Sequence, residues 1–359
     1  MASMPPPPPA PITTLPKLPE DPAARLFART RELVDLDSTT GRERQAGELL
    51  FARLAEIEPA GELVKIPVDA ERFNLFARWG EPKVVLSTHM DCVPPYFPSE
   101  ESDDDIRGRG ACDAKGILAA MIAAIEELLA AGRRDFGLLI VVAEETDSLG
   151  ADTANRWVQT TDLRPRYLIN GEPTENQLAL GSKGTLFYRL EAEGKAAHSA
   201  YPELGISAID ALLAAIDRMR RVPLPSDPIL GETTINVGKI EGGRAANVIA
   251  DRASAEILVR TVGPTEPLRH DLEAAFTAGG GARISRKSET PAVRLGSLPG
   301  FPTTVVKFTT DVPRLSAWGE PFLLGPGTIH VAHTAEERIA KADLMAAVEL
   351  YRRLVERLL

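Results

Sequence analysis

Cysteine is nearly missing from this sequence: Cys92 and Cys112 are the only two in 359 residues. Two thiols cannot build a disulfide scaffold, and their scarcity fits a reducing compartment, so a cytoplasmic location is expected. Basic residues are in deficit as well. Lys and Arg number 41 against 51 Asp and Glu, and the net charge of −10 would repel phosphate backbones and anionic lipid head groups, which argues against nucleic acid or membrane as partners. No apolar run suits a bilayer: the longest, GILAAMIAAIEELLAAG, is short and carries Glu126 and Glu127, as befits a core helix. The opening MASMPPPPPAPITTLPKLPEDP has neither a basic segment nor an apolar stretch and is expected to be neither signal peptide nor anchor. Its proline run predicts an extended, disordered tail over residues 1–21.

What remains is an ordinary globular composition, 44% hydrophobic and 26% charged. The chain is long enough for two domains, since single cores stop growing near about 250–300 residues. Over residues 22–180, the amphipathic segments DPAARLFARTRELVDL and GRERQAGELLFARLAEI alternate with the apolar runs KVVLSTH, FGLLIVVAEE and RYLINGE, which predict strands buried on both faces. The helix GILAAMIAAIEELLAAG is the crossover between the first two. The fold class is therefore α/β, a mixed and mostly parallel sheet sandwiched by helices. Over 181–291 the pattern becomes strand, helix, strand, strand, helix, strand, the ferredoxin-like α+β order, which predicts an inserted domain. Residues 292–359, with TTVVKF, PFLLG and the final helix KADLMAAVELYRRLVERLL, return to the first style.

Four strands of the first domain end in side chains able to bind a metal: His89 after VVLST, Glu144 and Glu145 after LLIVVA, Glu172 after YLING, and His330 or His333 after FLLGPG. The carboxyl ends of strands in open α/β sheets form the crevice where ligands bind, so residues far apart in sequence can meet there. A single loop carboxylate in an acidic chain is ordinarily only solvated. The repetition at matching strand ends, in a chain with five histidines, is what points to a metal site. Imidazole and carboxylate donors without thiolate suit a hydrolytic zinc centre. Asp91, two residues after His89, is spaced to orient that imidazole. Asp113 follows the glycines of GRGACDAKG at the entry to a helix. The spacing Gly108-x-Gly110-x-x-Asp113 mimics a dinucleotide fingerprint only superficially, because no apolar strand precedes it and the third glycine is missing. Of the adjacent glutamates in AEETD, one can bind metal while the other handles protons.

The motifs STHMDCVPP, GRGACDAKG, VVAEETDSLGA, INGEPT, GKAAHSAYPELGISAIDAL and GPGTIHVAHTAEE, in that order, resemble those of the two-zinc amidohydrolases and metallopeptidases that include acetylornithine deacetylase, succinyl-diaminopimelate desuccinylase and glutamate carboxypeptidase. The likeness covers the chain beyond its proline-rich start. It implies two zinc ions, with cobalt as a substitute, bridged by Asp113. His89 and Glu172 would complete one site and Glu145 and His333 the other, leaving His330 as a neighbour. It implies that Glu144 is the general base and that His198 of the inserted domain reaches into the partner's site of a homodimer to stabilise the oxyanion. Asn247 and Arg260 match substrate-binding positions, and a guanidinium suits an amino-acid carboxylate. Lys183 and Asp311 are further pocket candidates. Alanine stands in NVIAD where the family usually has proline.

The ending GPGTIHVAHTAEE looks most like the acetylornithine or acetyl-lysine deacetylase branch. The expected activity is hydrolysis of the amide of an N-acyl amino acid by a zinc-bridging water. Desuccinylases, dipeptidases and carboxypeptidases share the metal set and stand as alternatives. A non-catalytic amino-acid-binding or regulatory module is the alternative of another class. RNA binding by the ferredoxin-like sheet would need stacking aromatics on its central strands, where only Phe187 and Tyr188 are candidates.

Overall fold

A computed structural model describes residues 15–57 and 62–359. Most of the expected tail, residues 1–14, lies outside the described residues. Within its remainder, Leu15 packs on the first hydrophobic core, the Pro16 carbonyl accepts from Arg53, and Asp21 caps the first helix by accepting from the Ala24 amide at 2.8 Å. Residues up to 180, with 295–304 and 310–359, form one compact unit, and residues 181–294 with 305–309 form another. The second unit runs to 294 rather than the expected 291 because Val293 and Arg294 pair with Ser182 and Gly181.

The first unit is built on strands β1 (Leu63–Pro67), β2 (Phe73–Trp79), β3 (Val84–His89), β4 (Phe136–Val141), β5 (Tyr167–Asn170) and β6 (Glu320–Leu323). They lie in the order β1-β2-β4-β3-β5-β6, and β4, β3, β5 and β6 run parallel. β1 and β2 add an antiparallel edge. Every residue of β3 and β4 is buried. The strand period of two sends Val84, Leu86, Leu138 and Ile140 to one face. There they meet helices α1 (Pro22–Val34), α2 (Arg44–Ala55), α3 (Gly116–Ala130) and the C-terminal Lys341–Leu358. Val85, Leu139 and Val141 go to the other face, against Ala151, Ala154 and Val158 of helix Leu149–Gln159 and against Trp318. Each fully buried aliphatic side chain contributes about 1.5–3 kcal/mol, so the strands are firmly held from both sides. Their shared direction brings the carboxyl ends of β3, β4, β5 and β6 to one edge.

The second unit is an antiparallel sheet in the order Thr234–Gly242, Arg252–Thr261, Gly184–Glu193, Ala282–Thr290. One face alternates inward as Leu186, Tyr188, Leu190 and Ala253, Ala255, Ile257, Val259. Helices Ala208–Arg220 and Thr265–Thr277 cover it with Leu212, Ile216, Met219, Leu268, Leu272 and Phe276.

Candidate metal centre

β3 ends on His89, whose ring is 1% exposed. Its Nδ1 lies 3.0 Å from the main-chain carbonyl of Asp91. A carbonyl only accepts, so Nδ1 donates and Nε2 is turned toward Asp113 Oδ1, also 3.0 Å away. Asp91 thus orients His89 chiefly through its backbone, its carboxylate standing at 3.4 Å. That carboxylate has a second task. Oδ1 accepts from the Glu144 amide at 3.1 Å, and Oδ2 accepts from the Glu145 amide at 3.2 Å and the Thr40 hydroxyl at 2.8 Å. β4 stops at Val141, short of the glutamates, and Ala143 is left-handed with φ 62°. The chain turns there, and Asp91 pins the turn.

Asp113 interrupts the helical path into α3 with φ −125° and ψ 94°. Beyond β5, Glu172 is 4% exposed. Beyond β6, Gly325 passes so near Glu172 that a Cβ would lie 2.4 Å from its carbonyl oxygen. His333, itself left-handed at φ 62°, brings Nε2 to 3.0 Å from Glu145 and 3.4 Å from Asp113 Oδ2.

Two trios of donors result, His89–Asp113–Glu172 and Asp113–Glu145–His333, and the donor atoms of each lie within 4.8 Å of one another. Asp113 belongs to both. His330 belongs to neither and is exposed. The electrostatics of the pocket's own side chains call for cations. Burial and then the charge of Asp113 push the Glu172 carboxyl well up. Burial and then Glu172 push Glu144 well up, while burial and then Asp113 raise Glu145. Burial opposes a charged His89, but hydrogen bonds to Asp113 and Asp91 outweigh it and hold the imidazole well above its ordinary range. Hydrogen bonds to Asp113 and Glu145 lift His333 to about 10. Burial would raise Asp113 too, yet its bonds to His333 and His89 hold it below the usual carboxylate range. Glu172 Oε1 is buried without a hydrogen-bond partner. Nitrogen and oxygen donors, crowded carboxylates and an orphaned buried oxygen fit a pair of divalent cations sharing Asp113.

Sequence reasoning missed one support. Glu337 is buried beneath the Asp113 loop and pairs with Arg109 at 2.5 Å. In sequence it is one acid in an acidic, exposed-looking tail, and only its place four residues after His333 hints at a role. Asp311, a pocket candidate from the sequence, is 1% exposed, neither of its oxygens has a well-formed hydrogen bond, and burial raises its carboxyl to about 7.

His198, Asn247 and Arg260 belong to the second unit. His198 and Asn247 are exposed, and the segments carrying them are tied by the Ser199 amide donating to the Asn247 carbonyl at 3.0 Å. Arg260 is half-buried and donates to Thr309 Oγ1 at 3.2 Å, while Thr309 donates to the Lys183 carbonyl at 3.1 Å.

The family model described as peptidase family M20/M25/M40 matches residues 85–357. A probable carboxypeptidase of Aspergillus terreus is 40% identical over 91% of this chain and 84% of its own length. A peptidase M20 domain-containing protein of Schizosaccharomyces pombe is 36% identical over 92% of this chain and 84% of its own. Among solved structures, a tripeptidase of Staphylococcus aureus superposes with a TM-score of 0.77 at 23% identity, covering 93% of this chain and 99% of that one. An M20 metallo-carboxypeptidase of Sulfolobus solfataricus gives 0.72 at 17% identity, covering 92% and 98%. These two show the same fold. The chain belongs to peptidase family M20/M25/M40 and is a metallohydrolase of linear amide bonds.

Proposed function

We propose that this protein hydrolyses the amide joining an acyl or aminoacyl group to the nitrogen of a carboxylate-bearing amino acid, with the two ligand trios holding two zinc ions, or cobalt in their place. The observation that carries the reading is Asp113 shared between the trios, with Glu144 on the turn beside them. When bound, the cations polarise the carbonyl and lower the pKa of water. Glu144 accepts the proton lost by the attacking water and returns it to the leaving amine. Its position among Glu172, His89 and Glu145 supports that role, because the carboxyl is shielded from solvent and its affinity for a proton is tuned by its neighbours. Arg260 holds the substrate carboxylate, and Asn247, on the segment tied to that of His198, adds a second polar contact to the substrate. His198, donated across a homodimer, stabilises the oxyanion in the partner's site.

The relatives named as probable carboxypeptidases favour removal of a C-terminal residue from a short peptide. The motif GPGTIHVAHTAEE favours deacetylation of N-acetylornithine or N-acetyl-lysine in amino-acid biosynthesis as the second reading, and a cytoplasmic site of action suits both. A panel of dipeptides and of acetylated and succinylated amino acids, assayed with zinc and with cobalt, separates them. Glu144→Gln is expected to keep both metals and lose turnover by about 10²–10⁴-fold. Full activity in that variant removes Glu144 as the base, and turnover of acetylated substrates alone removes the carboxypeptidase reading.

A further inference from the structure

Glu337 lies outside both ligand trios, yet its carboxylate is wholly committed to the loop that carries Asp113. Oε1 accepts from the amides of Gly110 at 2.9 Å, Asp113 at 3.2 Å and Cys112 at 3.3 Å. Oε2 accepts from Arg109 Nη1 at 2.5 Å. The Glu337 carbonyl also accepts from the Gly108 amide at 3.0 Å. Gly110, left-handed at φ 85°, turns the neighbouring N–H groups into one concavity, the kind of backbone nest that grips an anion. The ion pair itself is a weak source of stability, since two charges taken out of water lose about as much solvation as they regain from each other. What the arrangement does supply is geometry. His333 and Glu337 stand four residues apart on one segment, so that segment delivers an imidazole to the Asp113 carboxylate and a clamp to the Asp113 amide.

We propose that Glu337 is a positioning residue for the metal centre: it fixes the Asp113 backbone relative to His333, so that one carboxylate meets both ligand trios, and its loss weakens cation binding without removing a ligand. The inference rests on the reading of Asp113 as the shared ligand. Arg109 is its auxiliary. Its Nε donates to the Pro95 carbonyl at 3.1 Å, and its Nη1 keeps Oε2 turned away so that Oε1 faces the three amides.

The test titrates Zn²⁺ into the metal-stripped full chain by calorimetry, with a thermal melt of each stripped protein alongside. The proteins are wild type, Glu337→Ala, Glu337→Gln and Glu337→Gln/Arg109→Met. Wild type is expected to take two ions, and Glu337→Ala to hold the weaker of them about 10- to 100-fold less tightly. Glu337→Gln should behave like Glu337→Ala, because its carboxamide cannot serve the guanidinium and the amide nest together. In the double variant the guanidinium is gone, the Gln oxygen is free to accept from the three amides, and most of the affinity should return. Turnover of a dipeptide by Glu337→Gln should fall in kcat with KM little changed. Unchanged zinc affinity in Glu337→Gln overturns the proposal, as does an affinity loss that the double variant fails to recover. A wild-type chain that takes up fewer than two ions overturns the reading of Asp113 and this inference with it.

Discussion

Asp91→Asn tests how the site is held together. The substitution keeps the shape of a fully buried side chain whose two oxygens accept from Glu144, Glu145 and Thr40. A carboxamide has a single accepting oxygen. The Thr40 hydroxyl can rotate to accept from the new NH₂ group, but a main-chain amide cannot, so the oxygen settles toward Glu144 and the Glu145 N–H loses its acceptor. A buried unsatisfied group costs about 1–3 kcal/mol, and the surviving bonds drop from the charge-assisted range of about 1.5–3 kcal/mol to the neutral one of about 0.5–1.5. The turn carrying Glu144 and Glu145 therefore loses about 2–4 kcal/mol of support. At 1.4 kcal/mol per factor of ten, that allows a fall in kcat of up to roughly 10²–10³-fold. The assay pairs dipeptide turnover with chemical denaturation of the metal-loaded protein, and Thr40→Val, which removes one bond to the same carboxylate, should cost only about 1 kcal/mol. His89 keeps its main-chain partner at 3.0 Å in both variants. Wild-type turnover in Asp91→Asn would therefore refute the pinned turn, as would a Thr40→Val variant equally damaged.

Two further outcomes are expected. In the metal-free chain the carboxyls of Glu144, Glu145 and Glu172 and the imidazoles of His89 and His333 all have raised pKa values. A raised value means that the folded state holds protons more tightly than the unfolded one, so this stability is complete below the ordinary values and is lost as pH rises through the folded ones. For His333 that window runs from 6.5 to about 10, and Asp113, held low, opposes it only in strong acid. The stripped protein should thus melt higher near pH 6 than near pH 9, while saturating zinc, which displaces these protons, removes the trend; a stripped chain more stable at pH 9 contradicts it. If His198 serves the partner's site, mixing inactive Glu144→Gln with inactive His198→Ala and letting subunits exchange should restore about a quarter of the sites, since one site of each mixed dimer is whole. No recovery after demonstrated exchange would place His198 within its own subunit or outside the reaction.

Much of the fold is legible because it rests on extremes of burial. FGLLIV is apolar throughout and VVLSTH opens on three aliphatic residues with only small polar ones before its histidine, and both prove buried on two faces. The strands Leu63–Pro67 and Phe73–Trp79 carry no such signal, because Lys65, Pro67, Asn74 and Arg78 break the run at an antiparallel edge. His89, Glu145, Glu172 and His333 are legible as candidates because parallel strands expose their carboxyl ends together, and Asp113 because glycines turn the chain at a helix entry. The supports are not legible in this way. Asp91 reads from its spacing as a partner of His89, but its grip on two amides 53 and 54 residues away exists only once β3 and β4 lie side by side. Glu337 is hidden more deeply, since the amides it holds lie more than two hundred residues earlier.

That division follows from what each kind of residue must do. Most of the candidate ligands sit just beyond strand ends, and strand ends are written in local hydrophobicity. A support has to oppose the conformational preferences of the ligand turns, and those preferences are unfavourable here: Ala143 and His333 are left-handed without being glycine, at about 1–2 kcal/mol each. Bound zinc can supply about 10–16 kcal/mol in structural sites, far more than these local costs, but only to ligands already close to their places. The carboxylates of Asp91 and Glu337 bring them there by gripping main-chain amides, which leaves the side chains of Glu144, Glu145 and Asp113 free for the cations and the proton. The buried acids of this pocket therefore divide into those that face the candidate metal sites and those that face the backbone, and the second set fixes the geometry of the first.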